Sequence, residues 1–367
     1  MHPYETLPSH CFWRRSVAAV APEQVDPVVS AKFTVSPLDR IATAGSCFAQ
    51  HIARHLTSCG FNYYLTEPPH PTFRTPAIAR YNYGTFTARY GNIYTVRQML
   101  QLLKRAYGLF SPSEDIWHAD GGRCIDPFRP QIQPKGFASE AEYRADRLRH
   151  FMAVRQAIEN LDVLIFTLGL TEAWVSRIDG AVFPISPGVS GGSFDEQRHE
   201  FVNFGVDAVS RDLAETIDFV LERNTKARFI LTVSPVPLIA TYTGHSALVA
   251  TTYSKSVLRV AADEIERRYN CVAYFPSYEI IVGNHARGRY FADDLRFVTD
   301  EGVEHVMRLF MRHYGAQPTT PGGSAVPRQD LDLQKAERHT DMVRQIAAVI
   351  CDEESLDPLG LTEQKSH

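Results

Sequence analysis

Four apolar runs divide the chain, and each leads into a segment whose apolar residues recur at helical spacing. The first, RIATAG at 40–45, is followed by 48–58, where Phe48, Ile52 and Leu56 fall at i, i+4 and i+8 and predict one buried helix face. The second, DVLIFTLG at 162–169, is apolar without a break, the pattern of a strand covered on both faces. The third, RFILTVSPVP at 228–237, stops at two prolines, and the fourth, NCVAYFPS at 270–277, stops at Pro276. Further helices are predicted over about 145–160, 205–223, 249–268 and 300–314. Apolar strands alternating with helices predict an α/β fold with a central parallel sheet. Ligands of such sheets sit beyond the C-terminal strand ends. Ser46, Thr171-Glu172, Ser234 and Ser277-Glu279 all fall just past those ends.

Other stretches break the rhythm. Residues 62–140 are rich in Tyr, Pro and Gly, hold one clear helix near 96–107, and read as a long insertion at the ligand edge of the sheet. Residues 183–203 read as a second loop. The chain is therefore expected to comprise an N-terminal extension (1–36), one domain (37–314), a flexible linker (315–330), an amphipathic C-terminal helix (331–355) and a disordered tail (356–367). Leu333, Val343, Ile346, Val349 and Ile350 lie on or near one face of that last helix, which is expected to pack back on the domain, bind a protein partner or self-associate.

Composition narrows the function classes. The 367 residues are 44% hydrophobic and 22% charged, with net charge −4, so nothing favours nucleic acid or an anionic membrane surface. No run reaches the ~18–20 apolar residues of a spanning helix. The first residues lack a basic segment followed by an apolar core, so no signal peptide is expected. The six cysteines are scattered and read as reduced thiols of a cytoplasmic protein. No phosphate-binding loop or metal-ligand cluster is present, so neither a cofactor nor a metal is expected. His51 and His55 share a helix face, but Ile52 stands where a zinc protease needs Glu, and the pair reads as a solvated face.

The candidate chemistry lies at Gly45-Ser46-Cys47, where an apolar run ends abruptly and a helix begins. Gly45 permits a tight turn. A helix start offers free N–H groups and the positive end of the dipole, which stabilise developing negative charge. Ser46 reads either as a nucleophile or as a helix N-cap, and Cys47 is a rival nucleophile.

GSCFA at 45–49, TLGLTEAW at 167–174, SPVPLIAT at 234–241, SKSVLR at 254–259, YFPSYEI at 274–280 and RYFADDLR at 289–296 together resemble the GSCFA family, a branch of the SGNH/GDSL-like hydrolases, over about 37–314. The resemblance implies a three-layer flavodoxin-like fold and a nucleophilic serine at Ser46. It also implies an esterase or O-acyltransferase working through an acyl-Ser46 intermediate. Gly169, Leu170, Thr171 and Glu172 stand where the superfamily has its Gly-x-Asn block, so Gly169, Thr171 and the Ser46 N–H are candidates for the oxyanion hole. An amide from the insertion, Asn92 or Asn82, is a further candidate. Tyr81, Tyr83, Tyr90 and Tyr94 favour a carbohydrate or glycoconjugate as the small-molecule substrate.

The sequence departs from the family in the last block. The superfamily pattern is Asp-x-x-His, but here Asp294 is followed at the third place by Phe297, which accepts no proton. A non-standard base is therefore required, and the candidates are Asp294, Glu172 and His245, then His285. His305 is two helical turns past Phe297. The alternative is a non-catalytic ligand-binding protein that kept the pocket and lost the base.

Overall fold

A computed structural model of the protein describes residues 2–315 and 352–357. Among the described residues nine strands form in chain order: β1 (Ile41–Gly45), β2 (Trp117–Ala119), β3 (Arg123–Ile125), β4 (Val163–Leu168), β5 (Glu172–Ser176), β6 (Val182–Phe183), β7 (His199–Asn203), β8 (Arg228–Val233) and β9 (Val272–Tyr274). The α-helices are α1 (Phe48–Ser58), α2 (Thr75–Arg80), α3 (Val96–Ala106), α4 (Glu140–Asn160), α5 (Val206–Leu221), α6 (Ala247–Arg268), α7 (Ser277–Val282) and α8 (Asp300–His313).

The central sheet is parallel, in the order β1-β4-β8-β9. Outside β1, Tyr63 forms a parallel bridge with Ile41, completed by hydrogen bonds from Ile41 N–H to Asn62 and from Tyr64 N–H to Ile41. Counting that bridge, the chain visits the sheet in the doubly wound order 2-1-3-4-5, with its switch point between β1 and β4.

Side chains alternate across the sheet and feed two cores. Ile41, Val163, Ile165, Ile230 and Ala273 join a cluster with α1, α7 and α8. Ala42, Leu164, Phe166, Phe229 and Leu231 join the opposite cluster, built by α3, α4, α5 and α6. The result is a three-layer α/β sandwich. Each fully buried Leu, Ile or Phe contributes about 1.5–3 kcal/mol, and this two-sided burial is why the strands read as apolar without a break.

The helices start where local chemistry places them. Thr95 and Gln98 form a capping box on α3, and Ser139, Ser246 and Thr299 cap α4, α6 and α8 through their hydroxyls. The N-terminal residues lie against α8, where Val25 C=O and the Asp26 carboxylate meet His305 and His313.

The structure departs from the pattern in several places. Residues 183–203 do not form a plain loop: β7 pairs antiparallel with β5, which also pairs with β6. Trp174 lies opposite both Phe201 and Phe183, so cross-strand aromatic pairs hold this small sheet. Its strands are short and partly exposed, so no long apolar run announces them. The insertion adds the β2–β3 hairpin and α2 to the predicted helix. His51 and His55 are half-buried rather than solvated, and burial lowers His51 to about 4. Most of the expected linker and of the expected C-terminal helix lies outside the described residues. The end of that helix is described, and Asp352–Leu356 forms a short 3-10 turn. Leu356 and Asp357, expected in the tail, are described as well.

Candidate active site

The turn after β1 is built by close backbone approach. Gly45 pairs with Thr167 and has φ +134°; a Cβ there would lie 2.2 Å from the Thr167 carbonyl oxygen. Only glycine fits that geometry. Ser46 follows, buried, and its Oγ has no hydrogen-bond partner among the described residues. Cys47 is the N-cap of α1 in helical conformation, so Ser46 does not cap the helix with its side chain. The Ser46 N–H continues the sheet by donating to Thr167 C=O at 3.3 Å and does not face an oxyanion. The N–H groups of Cys47 and Phe48, at the start of α1, precede the helical ladder.

Three segments close on this turn. The insertion arrives through Ile93 N–H, which donates to Gly45 C=O at 2.8 Å. Tyr94 C=O then accepts from the N–H groups of Gly169 and Leu170 at 3.2 and 2.9 Å. A Cβ on Gly169 would lie 3.1 Å from the Ser46 Cβ and 2.9 Å from Tyr94 O, so glycine lets the end of β4 pass directly beside the serine. From α6, the Lys255 ammonium donates to Gly169 C=O at 2.6 Å. Lys255 is buried; burial pushes its pKa down to about 8, against the pull of Glu353 and the Cys47 thiol.

Asn92 lies beside Gly45 through the adjoining Ile93. Its Oδ1 accepts from Gln50 Nε2 at 3.2 Å, one turn along α1 from Ser46. Its Nδ2 donates to the Asp352 carboxylate at 3.1 Å. The Asp352 N–H donates to the Tyr94 hydroxyl at 3.1 Å. Burial raises Asp352 to about 6, against the Asn92 hydrogen bonds. Next to it, Arg296 donates to Glu353 at 2.9 Å and pairs with Glu354. The acidic turn 352–354 thus reaches the same corner of the sheet as Ser46.

The other sequence candidates are engaged or distant. Thr171 donates its hydroxyl to Asn203 Oδ1 at 2.6 Å and its N–H to Ser254 Oγ at 3.0 Å. Asn82, at φ +56°, donates to Gln131 C=O at 3.4 Å, across a small cavity from Asn92. The Glu172 carboxylate accepts from Thr241 Oγ1 at 2.7 Å and Tyr242 N–H at 3.2 Å. Asp294 accepts from the N–H groups of Arg296 and Phe297, both at 3.0 Å. His245 is exposed just before α6. His285 is half-buried, and burial lowers its pKa. His305 is held by Tyr290 and Val25 at 2.7 and 3.0 Å, with burial lowering it to about 4. None of these groups hydrogen-bonds Ser46 Oγ.

A model of the GSCFA family matches residues 40–310, which span β1 to α8. The chain belongs to the GSCFA family. Among curated proteins none matches it. The matched span carries Ser46, Asn92, Gly169, Lys255 and Arg296, while Asp352–Glu354 lie beyond it.

Lys255 and Arg296 also reach this corner of the sheet, and the sequence did not single them out. The quoted blocks SKSVLR and RYFADDLR contain both, and the signal was a lysine and an arginine inside runs that fold beside strand ends. Tyr83, Tyr90 and Tyr94 are not a sugar platform: all three are buried, and Tyr90 bonds to the Thr43 carbonyl. The aromatic wall comes instead from the small sheet. Trp174 packs against Tyr242 and Phe201 with ring centroids 4.9 and 5.8 Å apart, beside a cavity of about 290 Å³ whose lining includes Leu170, Glu353 and Leu356. Among the described residues no group of His, Cys, Asp and Glu is placed to hold a metal, and no helix is long and apolar enough to cross a membrane.

Proposed function

We propose that the chain is an acyl-transfer enzyme, an esterase or O-acyltransferase, that works through an acyl-Ser46 intermediate. One observation carries this reading: a buried serine hydroxyl without a partner, on a strand-to-helix turn, beside a carbonyl that holds a buried lysine amine. Such a hydroxyl is costly to bury unless it serves something. In its neutral form Lys255 accepts the Ser46 proton as Oγ attacks the substrate carbonyl carbon. The C–O bond to the leaving alcohol breaks, and that alcohol takes the proton back. Water or an acceptor hydroxyl then receives the acyl group by the reverse steps. The N–H groups at the start of α1 donate to the developing oxyanion. Trp174 and Tyr242 supply flat faces for the ring of a carbohydrate-type substrate.

Labelling with a fluorophosphonate probe tests the reading. Wild type and Cys47→Ala are expected to label, and Ser46→Ala is not. Equal labelling of wild type and Ser46→Ala would overturn it. A non-catalytic binding protein is the second reading. It is favoured by Phe297 at the usual histidine position and by the engagement of Glu172 and Asp294 elsewhere. It predicts no labelling and no turnover of aryl or sugar acetates by any form.

A further inference from the structure

The acidic turn at the end of the described chain binds the site as a ligand would. Asp352 presents its carboxylate to Asn92 and its N–H to Tyr94. Glu353 and Glu354 take the two ends of the Arg296 guanidinium, whose side chain is only 9% exposed. Glu353 also feels the Lys255 ammonium. Leu356 borders the aromatic cavity beside Trp174. Yet Asp352–Glu354 lie outside the family-matched span, whereas Asn92, Lys255 and Arg296 lie inside it.

We propose that Asn92 and Arg296 form a carboxylate-recognition site for the substrate, and that Asp352–Glu354 occupy it in the free protein as an intramolecular competitor. The physical reason is charge balance. If the turn leaves, Arg296 loses the Glu353 and Glu354 carboxylates and Lys255 loses the pull of Glu353, and removing the counter-charge of a buried cation is costly. Whatever displaces the turn must replace its carboxylates. Planar, two-pronged guanidinium recognition suits carboxylate geometry. The substrate class is therefore a carboxylate-bearing molecule, and for a carbohydrate this means an acidic sugar. A tethered competitor acts at an effective concentration of about millimolar, so it lowers apparent ligand affinity without abolishing binding. The word substrate rests on the acyl-transfer reading of Ser46; carboxylate binding does not.

The test uses the full chain and succinate as a two-carboxylate probe, titrated by calorimetry. Glu353→Gln/Glu354→Gln is expected to bind succinate at least about tenfold more tightly than wild type, because the carboxylates that hold Arg296 no longer compete. Adding Arg296→Met to that variant is expected to remove the binding. Equal affinity in wild type and the neutralised variant, binding that survives Arg296→Met, or no binding in any form would overturn the proposal. Should the neutralised variant fail to fold, hydrogen exchange of residues 352–356 in wild type decides: succinate is expected to accelerate it, and unchanged exchange at saturating succinate overturns the proposal. Succinate binding without fluorophosphonate labelling keeps the carboxylate site and sinks the acyl-transfer reading. Labelling without succinate binding does the reverse.

Discussion

Lys255 Nζ and the Gly169 carbonyl oxygen meet at 2.6 Å, and this contact brings the amine to the strand end that packs against Ser46. With its pKa pushed down to about 8, chiefly by burial, the lysine is mostly protonated at neutral pH and becomes a base as pH rises. Fluorophosphonate labelling of Ser46 is therefore expected to rise from pH 6 and level off above about 8. Lys255→Met should slow labelling by about 10²–10⁴ and remove that inflection. An unchanged pH profile in Lys255→Met would exclude the lysine as the base.

Gly45→Ala is expected to destabilise the fold by more than about 2 kcal/mol, because a Cβ meets Thr167 O at 2.2 Å and the backbone sits at φ +134°. Urea unfolding measures it. A midpoint within error of wild type would show that β1 and β4 can separate without cost.

Docking of the acidic turn should depend on pH. Asp352 faces the Asn92 amide, the Tyr94 hydroxyl and the neighbouring Glu353, with Arg129 on the same cavity; Lys255 and Arg296 face Glu353. Burial raises Asp352 to about 6, so the docked state binds a proton that the released turn does not hold. The share of docking that Asp352 contributes is then fully present below the ordinary aspartate pKa of about 3.9 and is lost as pH climbs through about 6. Hydrogen exchange of residues 352–356, corrected for intrinsic rates, should show less protection at pH 7.5 than at 5, with the difference reduced in Asp352→Asn. Equal protection at both pH values would contradict this.

Between the insertion and α4, Glu67, Arg89, Arg129, Asp146 and His150 form a buried ionic network, with Glu67 2.7 Å from His150 Nδ1 and Arg129 2.9 Å from Asp146. Burial acts to raise Glu67, but His150, Arg129 and Arg89 hold it down to about 2. Its stabilising share is present above the unfolded carboxylate pKa of about 4.3 and is lost as pH falls toward 2. Glu67→Gln leaves buried cations under-compensated and should cost about 3–5 kcal/mol in denaturant unfolding. A loss below about 0.5 kcal/mol would mean that the network is neutral to stability.

Much of the architecture was legible. Strands such as 163–168 are covered on both faces, and α1 buries Phe48, Ile52 and Leu56 together, so burial itself writes the pattern. The β5–β6–β7 sheet was not legible, because its strands are short and held by aromatic pairs that come from separate stretches. The tyrosines of the insertion misled for a related reason. A tyrosine reads the same whether its ring stacks on a ligand or packs into a core, and Tyr83, Tyr90 and Tyr94 pack.

The sequence by itself determined the four central strands and the helices that alternate with them, the glycine turn that holds Ser46, and the absence of a histidine at position 297. These are local properties: period, backbone freedom at Gly45 and the chemistry of a single side chain. Only the tertiary structure decided which polar groups gather around the serine. Lys255 stands 86 positions from the carbonyl it binds, and Asp352 stands 260 from Asn92. Such partners are chosen by how helices and loops close over the sheet edge, where a buried charge must find its counterpart wherever the chain brings one, and no spacing along the sequence records that meeting.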